Sequence, residues 1–280
     1  MRYFDLPLAS WVDAFISWAV AAMGPLFDVI NLVLRSFLRG TESFFVSVPP
    51  ELMTGVLVIL AWRLVGRGMA LFTLAGFVYL GAIDMYTQAM ATLALITVCA
   101  AFSILMGIPL GIAAALSDRF DSIVRPVLDF MQTMPSFVYL IPVLILFGIG
   151  QVPAAIATII FAMPPVVRLT NLGIRQVPED LVEAAMAFGS TRMQALWKVQ
   201  MPNAWPTMMA GVNQTVLMAL SMSVIAAMVG ARGLGSEVYR GISMVRPGLG
   251  FEAGLGIIVL AILLDRLSQA AGRRKEETAG

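Results

Sequence analysis

Apolar residues in this chain come in long blocks instead of alternating with polar ones. Seven blocks, at about 46–64, 68–83, 88–116, 126–149, 152–172, 206–230 and 250–269, consist mainly of Ala, Val, Ile, Leu, Met and Phe. A helix needs about 20 such residues to cross roughly 30 Å of hydrocarbon, so each block predicts a spanning helix, the second short and the third long. Lipid satisfies no backbone hydrogen bonds, and the ten-residue alternation of a membrane barrel does not occur here. The predicted fold class is an all-α integral membrane protein with about seven transmembrane helices.

Ahead of the first block the pattern changes. Trp11, Phe15, Trp18 and Ala22 fall on one helical stripe within residues 10–38, while Asp13, Asp28, Asn31 and Arg35 interrupt a straight span. This predicts an amphipathic helix lying at the outer interface, with its tryptophans at headgroup level. A spacer of no special function is the alternative. Asp5 and Asp13 also break the apolar core that a cleaved signal peptide needs.

Composition narrows the class. The chain is 59% apolar and 12% charged, with a mean hydropathy of +0.88, which is about half the charge of an average soluble domain. Eighteen basic and 17 acidic residues give a net charge of +1, so no broad basic field draws in nucleic acid. The absence of histidine removes the commonest zinc ligand and general base. The single cysteine, Cys99, forms neither an internal disulfide nor a thiolate cluster. No catalytic residue and no metal site are expected. Arginine and lysine set the orientation: with the N-terminus outside, twelve fall on the cytoplasmic side and six (Arg2, Arg35, Arg39, Arg232, Arg240 and Arg246) outside. The positive-inside rule then puts the C-terminus, with its charged tail 271–280, in the cytoplasm. That tail is expected to fray.

One long cytoplasmic connector, 173–205, lies between spans. Pro178 followed by Glu179 and Asp180 marks a helix start, with proline first and carboxylates against the positive end of the dipole. Leu181, Ala184, Ala185 and Phe188 form one apolar stripe. Gly189 can adopt the left-handed conformation that ends a helix. Thr191 and Gln194 have the spacing of a capping box and open a second helix running to Pro202. A helix–glycine–helix unit at the inner surface is therefore expected, either as an unpartnered hairpin or as a docking surface whose alanines admit close approach.

Uncharged polar residues lie within the spans. Gln132, Ser136 and Tyr139 share one helix face; Gln214, Met218, Ser221 and Ile225 share another, with Asn213 alongside. They either line a translocation path or hold helices together by hydrogen bonds. Gly107 and Gly111, four apart around Pro109, suit close helix packing more than gating. Pro135, Pro142, Pro164 and Pro165 mark expected irregularities. Phe137 and Tyr139 face different sides of a helix, so no aromatic cage for a cation can be assembled from them. A phosphate-gripping loop needs Gly before its lysine, whereas Lys198 and Lys275 follow Trp197 and Arg274. This chain is therefore not expected to bind ATP, to be an enzyme or to hold a cofactor. Gradient coupling needs a charge at membrane depth, but Asp84, Asp129, Arg168 and Asp265 all fall near predicted span ends.

The connector has a further pattern. Glu183-Ala184-Ala185, three residues, Gly189, nine residues, then Val199-Gln200-Met201-Pro202 resembles the EAA–G–I–LP signature of permease subunits in bacterial ABC importers, with valine for isoleucine and methionine for leucine. MQTMPSFVYLIPVLILFGIG (131–150), IIFAMPPVVRLTNLGIRQVPEDL (159–181), MAGVNQTVLMALSMSVIA (209–226), GLG (233–235) and ILLDRLSQA (262–270) are similar to the branch that takes up glycine betaine, proline betaine and choline. The resemblance implies a type I ABC importer permease fold (MetI-like) over 88–270, in the bacterial inner membrane. Residues 1–87 form an N-terminal extension carrying the interfacial helix and two spans. It also implies a second permease copy, cytoplasmic ATPase subunits that use ATP and Mg, and an extracytoplasmic binding protein that selects substrate. Glu183, Ala184, Ala185, Gly189 and Pro202 would then couple to the ATPase, with Arg192 and Lys198 flanking. The alternatives are an ABC permease for another small polar solute, such as an amino acid, and a stand-alone gradient-driven transporter.

Overall fold

The computed structural model describes residues 7–279, without the side chains of residues 8, 9 and 273–279, so the expected roles of Arg2, Arg273, Arg274 and Lys275 lie outside the described residues. Every regular element among the described residues is helical: α1 Leu8–Ser47, α2 Pro50–Leu64, α3 Arg67–Ala82, α4 Tyr86–Leu116, α5 Asp118–Thr133, α6 Ser136–Phe147 and α7 Gln151–Arg175 in the first part. Then follow α8 Glu179–Ala187, α9 Arg192–Ala195, α10 Met201–Ser221, α11 Ser223–Met228, α12 Leu234–Ser243 and α13 Pro247–Ala279.

Five helical runs are long and apolar enough to cross a membrane, Ser10–Ser47, Tyr86–Leu116, Gln151–Arg175, Arg192–Met228 and Pro247–Gly272, or six if α5 and α6 together count as one broken span. The seven blocks of the sequence redistribute for local reasons. The first two become α2 and α3, of 15 and 16 residues, only about 23 Å long each at 1.5 Å per residue. They pack against each other as a hairpin through Gly66, whose φ of 133° no side-chain-bearing residue takes easily. The block 126–149 is not straight: α5 and α6 meet at 98°. Pro135 lacks an N–H and forces Met134 into extended geometry, φ −69° and ψ 130°. Pro142, Pro164 and Pro165, by contrast, sit inside α6 and α7 without interrupting them. At the C-terminal end, α13 stays helical to Ala279, past the expected start of the charged tail.

The expected boundary near residue 38 is also absent. α1 runs unbroken through Pro25 to Ser47 and stops where Val48, extended ahead of Pro49, cannot continue it. Phe27 packs edge-on against Phe147, while Glu42 accepts a hydrogen bond from Gln151 Nε2 at 2.9 Å. These partners are the last residue of α6 and the first of α7, and between them Phe37 of α1 packs edge-on against Phe102, midway along α4, the helix α1 packs against most.

α7 is the axis of the core, packed along α4 on one side and α10 on the other. Missing side chains make this possible. A Cβ on Gly107 would strike Val166, and one on Gly111 would come within 2.6 Å of Thr170 Cβ and 2.7 Å of the Val167 carbonyl. Gly211 of α10 also meets α7 closely, at 2.9 Å from Leu169 Cβ. The Gly107/Gly111 pair is thus a packing seam. α13 closes the other side of the bundle against α10 and α12.

Candidate functional site: the helix–glycine–helix connector and the polar clusters above it

After α7 the chain leaves the core. Pro178 is the cap residue and not the first helical one, so Glu179 and Asp180 occupy the first turn of α8. α8 ends as its sequence dictates. Gly189 takes φ +84°, Ser190 N–H donates to the Ala185 carbonyl at 3.0 Å, and Gly189 N–H donates to the Met186 carbonyl at 2.9 Å. That bond pair defines a Schellman closure. Thr191 then caps α9 in a reciprocal box: Gln194 N–H donates to Thr191 Oγ1, and Thr191 N–H donates to Gln194 Oε1 at 2.8 Å.

The second helix does not stop at Pro202. A π-helical turn, Leu196–Gln200, carries α9 straight into α10, with Met201 N–H reaching back to the Leu196 carbonyl. Pro202 has no N–H to give to Lys198, and the widened turn reassigns the bonds just ahead of it. Asn203 Nδ2 donates to the Val199 carbonyl at 2.7 Å. The connector and the span that follows it are therefore one helical run, Arg192–Met228.

No residue of α8 is buried. Glu183, Ala184, Gly189, Arg192 and Lys198 are exposed, Ala185 is half-buried, and Pro202 is exposed in the first turn of α10. The expected stripe exists, but it faces outward: Phe188 is 93% exposed, beside exposed Leu181 and Met186. Met193 and Trp197, which the sequence pattern did not single out, are exposed as well.

The polar residues of the spans are only partly brought together. Gln132, near the end of α5, reaches Met218 of α10, with Nε2 4.0 Å from the sulfur. Ser136 opens α6, and Tyr139 is buried with its hydroxyl unpaired. Gln214 and Ser221 sit exposed on α10, with Ser221 Oγ donating to the Leu217 carbonyl. Asn213 belongs elsewhere. It donates to Asp265 Oδ1 at 2.8 Å and accepts from Ser268, while Gln269 also donates to Asp265. This network ties α10 to α13, the helix-joining use of such residues.

A second cluster escaped sequence reading because its members are far apart in the chain. Asp118 and Asp121 of α5 meet Asn171 and Arg175 of α7. Asp129 also pairs with Arg168 at 2.6 Å, so two charges expected near span ends neutralise each other.

Residues 107–277 match the family described as the binding-protein-dependent transport system inner membrane component. The chain belongs to that family. It is 49% identical over 268 residues to the glycine betaine/proline betaine transport system permease protein ProW of Escherichia coli K12, covering 96% of this chain and 76% of that protein. It is 48% identical to the glycine betaine transport system permease protein OpuAB of Bacillus subtilis 168, covering 94% of each. Among solved structures, a chain of the MetNI methionine ABC transporter in an inward-facing conformation superposes with a TM-score of 0.55 at 25% identity, covering 68% of this chain and 93% of that one. The type I importer permease fold is thus shared, and this family member is a multi-pass inner-membrane component.

Proposed function

We propose that this chain is the permease subunit of an ATP-driven, binding-protein-dependent importer that moves glycine betaine, proline betaine or choline inward by alternating access. The names of the relatives support the substrate class. One observation carries the mechanism: α8 is a fully folded helix with no buried residue, closed at Gly189 and joined by residues 188–191 to α9, the start of a spanning run. A cytoplasmic ABC ATPase, using ATP and Mg, covers α8. Glu183, Ala184, Ala185 and Gly189 make the contact, and Pro202 lies where the push enters α10. Arg192 and Lys198 meet acidic groups at the rim. An extracytoplasmic binding protein delivers substrate at the opposite face, and a second copy of this chain completes the path along Gln132, Ser136, Tyr139, Gln214, Met218 and Ser221. Asn213 stands beside the path as a helix tie.

The connector and the C-terminus face the cytoplasm. α1 lies at the outer interface and leaves the N-terminus outside. Residues 1–87 form the extension, 88–270 the permease domain and 271–280 the tail. Uptake of labelled glycine betaine, proline betaine and choline into proteoliposomes tests this, with and without the ATPase and binding protein. The expected result is ATP-dependent uptake only with every component present. Uptake by this chain alone, driven by an ion gradient, contradicts it.

A further inference from the structure

α5 is held mainly through polar groups. Only Asp121 and Leu128 of its residues are buried, so apolar packing does little to fix its direction, and a 98° bend separates it from α6. Charged and polar groups hold it instead. Arg175, the last residue of α7, donates in three directions: Nε to Asn171 Oδ1 at 2.8 Å, Nη1 to Asp118 Oδ1 at 2.6 Å and Nη2 to the Ala114 carbonyl at 2.8 Å. One guanidinium thus gathers the end of α4, the start of α5 and the last turn of α7. Asp121, whose side chain is 10% exposed, is satisfied at both oxygens. Asn171 Nδ2 donates to Oδ1 at 2.6 Å, and Arg125 lies 2.7 Å from Oδ2.

The position of this cluster gives it a use. Arg175 stands three residues before Pro178, the cap of α8. At the other end of α5, Gln132 reaches Met218 on α10. We infer that Arg175 and Asp121 are positioning residues for energy coupling: they clamp α5 to the stem of the coupling helix, so that a displacement of α8 carries Gln132 with it. This deepens the permease reading and rests on it for its role in transport. The fork geometry matters, because lysine keeps the charge but cannot direct three fixed donors.

The test uses the complete complex of permease, ATPase and binding protein. In proteoliposomes, Arg175→Gln and Asp121→Asn raise the ATP hydrolysed per substrate taken up by roughly 2- to 30-fold, and Arg175→Lys fails to restore it. A purely structural ion pair would lower the thermal midpoint and leave that ratio unchanged, and an unchanged ratio overturns the proposal at any midpoint. A second measurement does not depend on substrate. Spin labels at Ile123→Cys and Leu172→Cys, both exposed sites on α5 and α7, report the helix separation in the same complex. One narrow distance, unchanged by ATP and broadened by Arg175→Gln, supports the clamp. A distance that is broad in the parent, or unaffected by Arg175→Gln, refutes it whether or not betaines prove to be the substrates.

Discussion

α7 and α8 are separated by three residues and draw on similar small side chains, yet one is the most enclosed helix of the molecule and the other is bare. Ala154, Ala155, Ala157, Ala162 and Gly173 of α7 are buried against α4, α10 and their neighbours. Of the alanines of α8, Ala184 and Ala187 are exposed and Ala185 is only half-buried. Small residues thus do two jobs here. In α7 they let helices of this chain approach one another where lipid offers no hydrophobic drive. In α8 they leave a low surface, the one the proposed function gives to another subunit. The same residue types are legible as structure in one helix and as an unfilled contact in the next.

Substitutions that add bulk separate the two jobs. The largest effect is expected at the α7 seam. Gly111→Leu puts side-chain atoms where Thr170 and the Val167 backbone already stand, an overpacking cost of about 3 kcal/mol or more. Thermal unfolding followed by size-exclusion fluorescence should show a large loss of folded protein. Gly189→Val meets no neighbouring atom, and its cost is local backbone strain at φ +84°, about 1–2 kcal/mol for a residue with a Cβ. The unfolding midpoint of the isolated subunit should fall by only a few degrees, far less than for Gly111→Leu, while uptake per ATP falls steeply. Thr191→Ala removes half of the capping box, about 1 kcal/mol, and should give a milder loss of uptake per ATP. The smallest effect on stability is expected at exposed Gln214 of α10. Gln214→Leu should shift stability by less than about 0.5 kcal/mol and leave assembly intact, while lowering transport. Normal uptake by that variant removes Gln214 from the path.

The local parts of this architecture were legible because their causes are local. Gly189, the Thr191–Gln194 box and the apolar stripe of α8 each depend on residues within one or two turns, and each forms where its spacing predicts. The bend at Pro135 follows from the same kind of rule, but its size does not: a proline marks an interruption and sets no angle, and the angle here is 98°. Pro164 and Pro165 look equally disruptive in sequence, yet α7 runs straight through them inside a tight core. Continuity through Pro202 was missed because a π turn absorbs the missing hydrogen bond. The Asp118–Asp121–Asn171–Arg175 cluster was out of reach for another reason, since Asp121 and Asn171 are fifty residues apart and neither charge pattern nor periodicity links them.

The most direct test of the account is whether α8 is a covered surface in the working complex. Ala184→Cys places a thiol on its exposed face, and the chain's own Cys99 is fully buried and silent to a bulky maleimide. Labelling should be fast in the isolated permease and strongly suppressed once the ATPase is bound. Equal labelling rates with and without a demonstrably assembled ATPase would mean that α8 is not the docking helix, and the coupling route described here would be wrong.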